Sequence, residues 1–186
     1  MRDADHFAQA LPSAPTRELQ ATLVRRAPML AMVESAPLDF LFTSGIAYRY
    51  NPRGLECIYF AEAEATAAAE YELHNPGQRQ PITTYFAEVR LRRVLDLGDA
   101  GTMAELGLTA RDLRAPWAGA RKPTVTQLLG EAVSRQGDIA AIRFPSEAAR
   151  RKGFAGADVA IFRDCVRRPD HVHILGPTKK PLQKWP

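Results

Sequence analysis

The feature that most constrains the fold is an alternation of apolar and polar residues over 82–97, ITTYFAEVRLRRVLDL. Tyr85, Ala87, Val89 and Leu91 fall on one side of an extended chain, and charged residues occupy the positions between them. Alternation with period two is typical of a strand that has one face in the core and one in water. The chain is therefore predicted to build a sheet that contains one long, half-solvated strand.

Shorter apolar runs predict further strands, and two segments predict helices. The run AEAEATAAAEYEL predicts a helix over 62–73 because its residues are strong helix formers. Thr124 and Gln127 have capping-box spacing and open a second predicted helix, 125–136, with Gly137 as its stop. This mixture indicates an α+β fold. The other predicted strands span residues 20–27, 55–60, 140–144, 158–162 and 171–175.

The length of the chain, 186 residues, predicts a single domain, since domains usually hold about 100–200 residues. Residues 1–19 are polar and contain Pro12 and Pro15, so we expect a loosely ordered lead-in. The domain itself is expected over 20–176. The segment 177–186 is basic and interrupted by prolines, and we expect a surface tail there.

Composition and net charge indicate the cellular compartment and the class of ligand. No run approaches the ~18 apolar residues of a membrane span, and the N-terminal residues lack the apolar region of a secretory signal. Two cysteines, Cys57 and Cys165, are too few for a disulfide framework, so we expect buried thiols and a cytoplasmic location. The net charge of +4 suits an anionic ligand.

Polar residues in three places are candidates for a functional site. Arg49 lies between two tyrosines, just before a turn predicted at 51–54. Tyr59 lies in a predicted buried strand, and Glu70 falls on the small-residue face of the predicted helix, which packs inward. Ser146 follows a strand at the point where a short helix can begin.

These residue types suit a dinucleotide whose glycosidic bond is to be broken. A guanidinium can clamp a phosphate, and a serine hydroxyl with helix N-terminal amides can bind another anionic group. A tyrosine ring can stack on a planar heterocycle. A nearby carboxylate can hydrogen-bond a ribose hydroxyl and stabilise an oxocarbenium-like transition state.

The same residues lie in stretches that resemble the RES domain family, the toxin half of RES–Xre toxin–antitoxin pairs. The stretch GIAYRYNPRGLECIYFAEAEATAAAEYE resembles the family's core, with its arginine before an Asn-Pro turn, its strand tyrosine and its helical glutamate. AIRFPSEAARRKGFAGADVAIFRDCV resembles the family's serine segment, and LVRRAPML its opening strand. One departure is Ala47-Tyr48, where the family often has glycines; bulk there leaves the acceptor of the reaction open.

The resemblance implies a split mixed β-sheet with flanking helices, related to ADP-ribosyltransferase toxins, that binds NAD as a substrate without a metal. Arg49 would be the family arginine, Glu70 the glutamate and Ser146 the serine. Tyr59 would line the nicotinamide side, and Arg25 would be a second phosphate contact.

The resemblance also implies what this site does and what controls it. Some members degrade NAD, with phosphate or water as the acceptor, and others transfer ADP-ribose to a protein of nucleotide synthesis. An Xre-type antitoxin usually blocks the cleft. Neither a membrane nor a nucleic acid is an expected partner.

Each residue also has a purely structural interpretation. Arg49 could be a surface arginine, Glu70 could reach water from the helix edge, Ser146 could be only a helix cap, and Tyr59 could be a core residue. A non-enzymatic alternative is a basic nucleic-acid-binding module. Its support is the sequence pI near 9.3 and the arginine groups at 90–93, 150–152 and 167–168.

Overall fold

A long antiparallel pair of strands forms the backbone of the fold in the computed structural model, which describes residues 3–29, 41–175 and 181–186. The first strand pairs with the third along almost its whole length, from Thr16 opposite Leu95 to Pro28 opposite Ile82. The described residues form one mixed sheet of seven strands: β1 (Thr16–Pro28), β2 (Cys57–Ala61), β3 (Ile82–Asp96), β4 (Ala141–Pro145), β5 (Ala157–Phe162), β6 (His171–Leu175) and β7 (Pro181–Trp185).

Strand β3 is the half-solvated strand that the alternation predicts. Tyr85, Ala87, Val89 and Leu91 are buried, and the charged side chains between them are exposed. One edge of β3 pairs with β1, and its other edge pairs first with β6 and then, in parallel, with β4. Because β3 uses both edges, it fixes the positions of the strands around it.

The sheet splits between β1 and β2. Antiparallel pairing continues from β4 through β5 to β2, but β2 meets β1 at one register pair within the described residues, Val24 with Ala61. On one side of that pair the two strands separate and leave a gap lined by their backbones. The predicted α+β fold with a split mixed sheet is confirmed.

Two apolar clusters pack on the sheet, one with residues of two helices, Ala4–Ala10 and Val125–Gln136, and the other made mainly of strand residues. The first cluster includes Tyr50, Leu129, Val133 and Phe162, and the second includes Leu23, Ile58, Leu91 and Ile161. None of the helices in the described ranges is long and apolar enough to cross a membrane. The helices are α1 (Ala4–Ala10), α2 (Glu64–His74), α3 (Ala100–Glu105), α4 (Ala110–Arg114), α5 (Val125–Gln136) and α6 (Glu147–Arg151).

Two of the predicted helix features are confirmed closely. Helix α5 begins with a complete capping box, in which the Thr124 hydroxyl accepts from the Gln127 amide and the Gln127 side chain accepts from the Thr124 amide. It ends at Gly137, whose φ of 75° lies in the left-handed region that favours glycine. Helix α2 begins two residues later than predicted and ends one residue later.

The prediction of a loosely ordered lead-in over 1–19 is wrong for the described part of that segment. Asp3 caps helix α1 by accepting from the backbone N–H of His6, and strand β1 already begins at Thr16. Phe7 and Leu11 are fully buried. They lie four residues apart, on one face of a helix that packs against α5, so their burial orders a segment whose composition is otherwise polar.

The C-terminal segment 177–186 is not simply a surface tail. Residues Pro181–Trp185 form β7, which pairs antiparallel with β6. The Trp185 ring packs edge-on against Phe42 at 4.8 Å between centroids, and this contact anchors the end of the chain. Residues 177–180 lie outside the described ranges.

We expect Gly130→Ala to destabilise the fold, although glycine inside a helix usually costs about 0.5–1 kcal/mol relative to alanine. A Cβ at Gly130 would lie 1.6 Å from the backbone carbonyl oxygen of Tyr50, so helix α5 and the 48–51 turn would have to separate. Urea denaturation should show a loss of about 1–3 kcal/mol. Ser134→Ala in the same helix is the control and should be neutral or stabilising; a G130A protein as stable as this control would contradict the close packing.

Candidate active site

A cleft of about 450 Å³ opens where β1 and β2 separate. Its walls are the ends of these two strands, the inner face of α2 and the turn at 48–49, and Trp117 lies at one side. This volume is in the usual range for a small-molecule site. Four of the five predicted site residues line the cleft: Arg25, Arg49, Tyr59 and Glu70.

Asn51 and Tyr59 hold the turn that carries Arg49. The Asn51 side chain is fully buried and donates to the carbonyls of Ile46 at 2.8 Å and Leu55 at 2.9 Å. The Tyr59 hydroxyl donates to the Asn51 side-chain oxygen at 2.9 Å and accepts from the backbone N–H of Tyr50 at 2.9 Å. The Asn-Pro turn predicted from the sequence is therefore fixed by a strand tyrosine. The ring of Tyr59 lines the cleft, and its hydroxyl has a structural task.

Three arginines, Arg25, Arg26 and Arg49, line the cleft and give it positive charge. Arg25 Nη1 donates to the backbone carbonyl of Tyr59 at 3.0 Å and so bridges the split between β1 and β2. Burial lowers the pKa of Arg25, but an arginine still keeps its proton at neutral pH. Arg49 Nη1 donates to the backbone carbonyls of Leu113 and Ala115, at the C-terminal end of helix α4. Within the described chain its Nε and Nη2 are left for an anion.

Glu70 is the carboxylate that α2 presents to the cleft, and several donors hold it. Ser146 Oγ donates to Glu70 Oε1 at 2.5 Å, and the backbone N–H of Ala148 donates to the same oxygen at 3.3 Å. His74 Nε2 lies 3.4 Å from Oε2, one helical turn along α2. Burial would raise the pKa of Glu70, but the hydrogen bonds from His74, Ser146 and Asp158 outweigh it and lower the pKa to about 2. Glu70 is therefore ionised at neutral pH.

The helical face predicted for Glu70 is confirmed, with one difference at its start. Thr66 and Ala67 are buried beside it, whereas Glu72 is exposed. Ala63, which the periodicity places on the same face, is exposed because it is the N-cap of α2. Glu70 is thus the acidic residue that α2 turns toward the cleft.

Ser146 lies behind Glu70. Its hydroxyl accepts from the backbone N–H of Ala149 at 3.3 Å, so it caps helix α6, and it donates to Glu70 with its own proton. The side chain is only 2% exposed and does not line the cleft. The structural interpretation of this serine as a helix cap is confirmed, and the cap places its hydroxyl against the Glu70 carboxylate and not in the cleft, where direct contact with a ligand was predicted.

Sequence reasoning missed three residues of this site. Asp158 is buried beside Glu70, and its only signal in the sequence is a lone charge in an apolar strand. His74 follows Glu70 at the helical spacing of four residues. Trp117 packs on Tyr48 at 5.3 Å between ring centroids, and Tyr48 lies 5.8 Å from Tyr59. An aromatic cluster, Tyr48, Tyr59 and Trp117, thus lies beside the charged groups.

Most of the arginine groups that motivated a nucleic-acid-binding module are engaged in ion pairs. Arg90, Arg92 and Arg93 pair with Glu18, Asp170 and Asp138. Arg150 and Arg151 both pair with Glu147, and Lys152 pairs with Glu72. Cations that are paired with carboxylates attract a phosphate backbone only weakly. The observed charge distribution therefore argues against a nucleic-acid-binding module.

Comparisons with known proteins agree with this architecture. A family model described as RES domain matches residues 23–181. The fold is also similar to the MbcT toxin in the crystal structure of the M. tuberculosis MbcT–MbcA toxin–antitoxin complex, with a TM-score of 0.64. That match has 17% sequence identity and covers 92% of this chain and 90% of the other, so it bears on the fold alone. No curated protein sequence matches the chain.

We expect Tyr59→Phe to destabilise the protein by about 1–3 kcal/mol, because the buried Asn51 oxygen and Tyr50 N–H would both lose a partner. Tyr71→Phe is a matched control: within the described residues the buried Tyr71 hydroxyl has no hydrogen-bond partner, so its removal should be neutral or stabilising. Urea denaturation of the two variants provides the comparison. Equal stability of Y59F and Y71F would show that the Tyr59 hydroxyl does not hold the turn.

Proposed function

The chain belongs to the RES domain family, and from this premise we propose that it is an NAD-consuming toxin that cleaves the bond between nicotinamide and ribose. The observation that carries the proposal is the ionised Glu70 carboxylate, held by Ser146 and His74 in a cleft that is also lined by three arginines and an aromatic cluster. These are the groups required by a dinucleotide that has a pyrophosphate, a planar cationic base and a ribose.

The arginines and the aromatic rings of the cleft would bind different parts of NAD. Arg49, with Nε and Nη2 available, and Arg25 would hold the pyrophosphate, because guanidinium groups bind phosphate oxygens in bidentate fashion. The nicotinamide ring would stack near Tyr59, where Tyr48 and Trp117 provide further aromatic surface. The negative pyrophosphate would thus lie beside the arginines, and the cationic nicotinamide ring would lie on the side of the Glu70 carboxylate.

Glu70 would act on the ribose. As the C–N bond breaks, its electron pair goes to the pyridinium nitrogen, nicotinamide leaves as a neutral molecule, and positive charge develops on the ribosyl carbon and ring oxygen. A fixed carboxylate that accepts a hydrogen bond from a ribose hydroxyl stabilises this developing charge. It therefore lowers the free energy of the transition state more than that of the bound substrate. An acceptor then attacks the ribosyl carbon. Ser146 would be a positioning residue in this reaction, because it touches Glu70 and not the cleft.

An antitoxin partner is part of the proposal. The MbcT fold was solved as a toxin–antitoxin complex, which supports a cognate antitoxin for this chain as well. By resemblance to RES toxins, this antitoxin would be of the Xre type and would block the cleft. An open cleft whose wall carries arginines suits a partner that presents acidic groups.

We expect Glu70→Gln to lower NAD turnover by about 100- to 1,000-fold, the usual effect of removing one group that stabilises transition-state charge. Glu72→Gln is the control in the same helix, since its side chain is exposed and pairs with Lys152, and it should retain wild-type turnover. Proton NMR of purified protein with NAD, freed of any partner, measures loss of NAD and release of nicotinamide. Undiminished turnover by E70Q would overturn the role of Glu70.

The same time course identifies the acceptor. Turnover that needs inorganic phosphate would indicate phosphorolysis, and turnover without it would indicate hydrolysis. If NAD persists, labelled NAD in a cell lysate tests the alternative, a mono-ADP-ribosyltransferase, because transfer leaves a labelled protein band. Absence of both activities would contradict an NAD-consuming enzyme.

Arg49→Lys should weaken NAD binding by roughly 10- to 100-fold, because lysine lacks the planar, bidentate donor arrangement. Arg53→Lys is a suitable control, since Arg53 lies four residues further along the chain, is exposed and does not line the cleft. Isothermal titration calorimetry in the E70Q background measures binding without turnover. Equal NAD affinities for the two lysine variants would show that Arg49 does not bind the pyrophosphate.

A further inference from the structure

Asp158 is a buried acid in the middle of the sheet. Strand β5 is buried at every position, and Asp158 lies in it between Ala61 of β2 and Phe144 of β4. Its side chain is 6% exposed and lines the cleft. An ionised carboxylate is costly to bury, so a group in this position must either be paired with a cation or hold a proton.

Asp158 shares the cleft with another acid, Glu70, and no cation is ion-paired with Asp158 among the described residues. Each of the two carboxyl groups shifts the pKa of the other, and the Ser146 hydroxyl, which donates to Glu70, affects both. Two carboxylates side by side repel, so one proton is shared between them. The other donors decide where it lies. Glu70 receives bonds from Ser146, the Ala148 N–H and His74, which stabilise its charged form.

The directions of the two pKa shifts agree with this division. Burial raises the pKa of Asp158 well above its ordinary value, and the negative charge of Glu70 raises it further. The same neighbourhood lowers the pKa of Glu70 to about 2. The site therefore holds one charged carboxylate and one neutral acid, and the neutral acid is deeper in the sheet.

We propose that Asp158 is a protonated positioning residue, whose acid O–H donates to Glu70 and fixes that carboxylate for catalysis. This inference rests on the proposed function, since the activity it positions is the cleavage of NAD. It predicts an upper pH limit for turnover, which the other residues of the site do not impose. When Asp158 loses its proton, it can no longer donate to Glu70 and instead adds a second negative charge. Glu70 then loses this hydrogen bond and is no longer held in position.

Other charged and titratable groups lie around this pair, and none of them replaces the Asp158 proton. The Arg49 cation works against the shift, because it favours the ionised form of Asp158. Tyr50 and Tyr59 have raised pKa values because of burial, so both stay neutral in the physiological range. Tyr50 interacts with Asp158 from the turn. The other titratable and charged groups that line the cleft with Asp158 are Arg25 and Arg26 of β1, Tyr48 and Arg49 of the turn, Tyr59 of β2, Glu70, Tyr71 and His74 of α2, and Glu147 of α6.

The first experiment measures NAD turnover against pH, from about pH 5 to about pH 9, for three variants and the wild type. Asp158→Ala removes the donor to Glu70. Turnover should fall by about 10- to 100-fold, the effect expected when a hydrogen bond to a charged group is lost. Asp158→Asn should rescue turnover relative to D158A, because an amide N–H₂ can donate to Glu70. Asp170→Asn, at a buried acid far from the cleft that pairs with Arg92, is the control.

The pH profile separates positioning from a structural role. The Asp158 pKa is raised, so the acid is neutral at low pH and ionises as the pH rises through that value. Wild-type and D170N turnover should therefore fall on the alkaline side, whereas D158N turnover should not fall there, because asparagine does not titrate. A D158N profile that matches the wild type on the alkaline side, or D158N as impaired as D158A, would overturn the proposal.

A second measurement does not depend on turnover. The side-chain carboxyl shift of ¹³C-labelled Asp158, followed by NMR against pH in the full chain, reports its protonation directly. We expect Asp158 to keep its proton well above the ordinary range and to titrate at lower pH in E70Q, where the charge of Glu70 is gone. An Asp158 that is ionised at its ordinary pKa would disprove the shared proton. If the proton is found but the wild type does not consume NAD, the proposed function fails instead.

Discussion

The pairing of β1 with β3 along nearly their whole length determines where the protein can have a cleft. A strand has two edges, and this pairing commits one edge of β1 to β3, which joins the β2–β5–β4 part of the sheet only at its far end, through β4. The other edge of β1 therefore meets β2 at Val24 and Ala61 and then leaves it. The separation exposes a strand edge with an unpaired backbone carbonyl at Tyr59, and a buried carbonyl needs a donor. Arg25 provides that donor and places a cation in the gap.

The polar groups of the cleft satisfy one another, which explains how an apolar sheet tolerates them. Tyr59 uses its hydroxyl to fix Asn51 and Tyr50, and the fixed turn then presents Arg49. Ser146 uses one oxygen to cap a helix and to hold Glu70. Asp158 needs no cation as long as it keeps a proton that Glu70 accepts. The site is thus stable as a network, and removal of one member leaves a buried partner unpaired.

The sequence predicted local features well and long-range pairing poorly. The long strand, the capping box at Thr124 and the inward face of Glu70 were predictable, because periodicity and cap chemistry depend on neighbouring residues. Helix α1 was not, since Phe7 and Leu11 are too few to outweigh a polar composition until they meet helix α5. The roles of Ser146 and Asp158 depend on contacts with Glu70, from which Ser146 is separated by 76 positions in the chain. Such contacts exist only in the folded sheet.

Glu70 and Glu72 show that position, and not residue type, makes the site. Both lie in α2, two residues apart, and both have lowered pKa values. Hydrogen bonding to Lys152 lowers the pKa of Glu72, but that pair is exposed, and solvent-screened pairs of this kind contribute little to stability. At Glu70 the helix turns the same side chain toward a buried acid, a capping serine and a histidine. There water screens the charge less than at the exposed Glu72, so it is available to stabilise the charge that develops on a substrate.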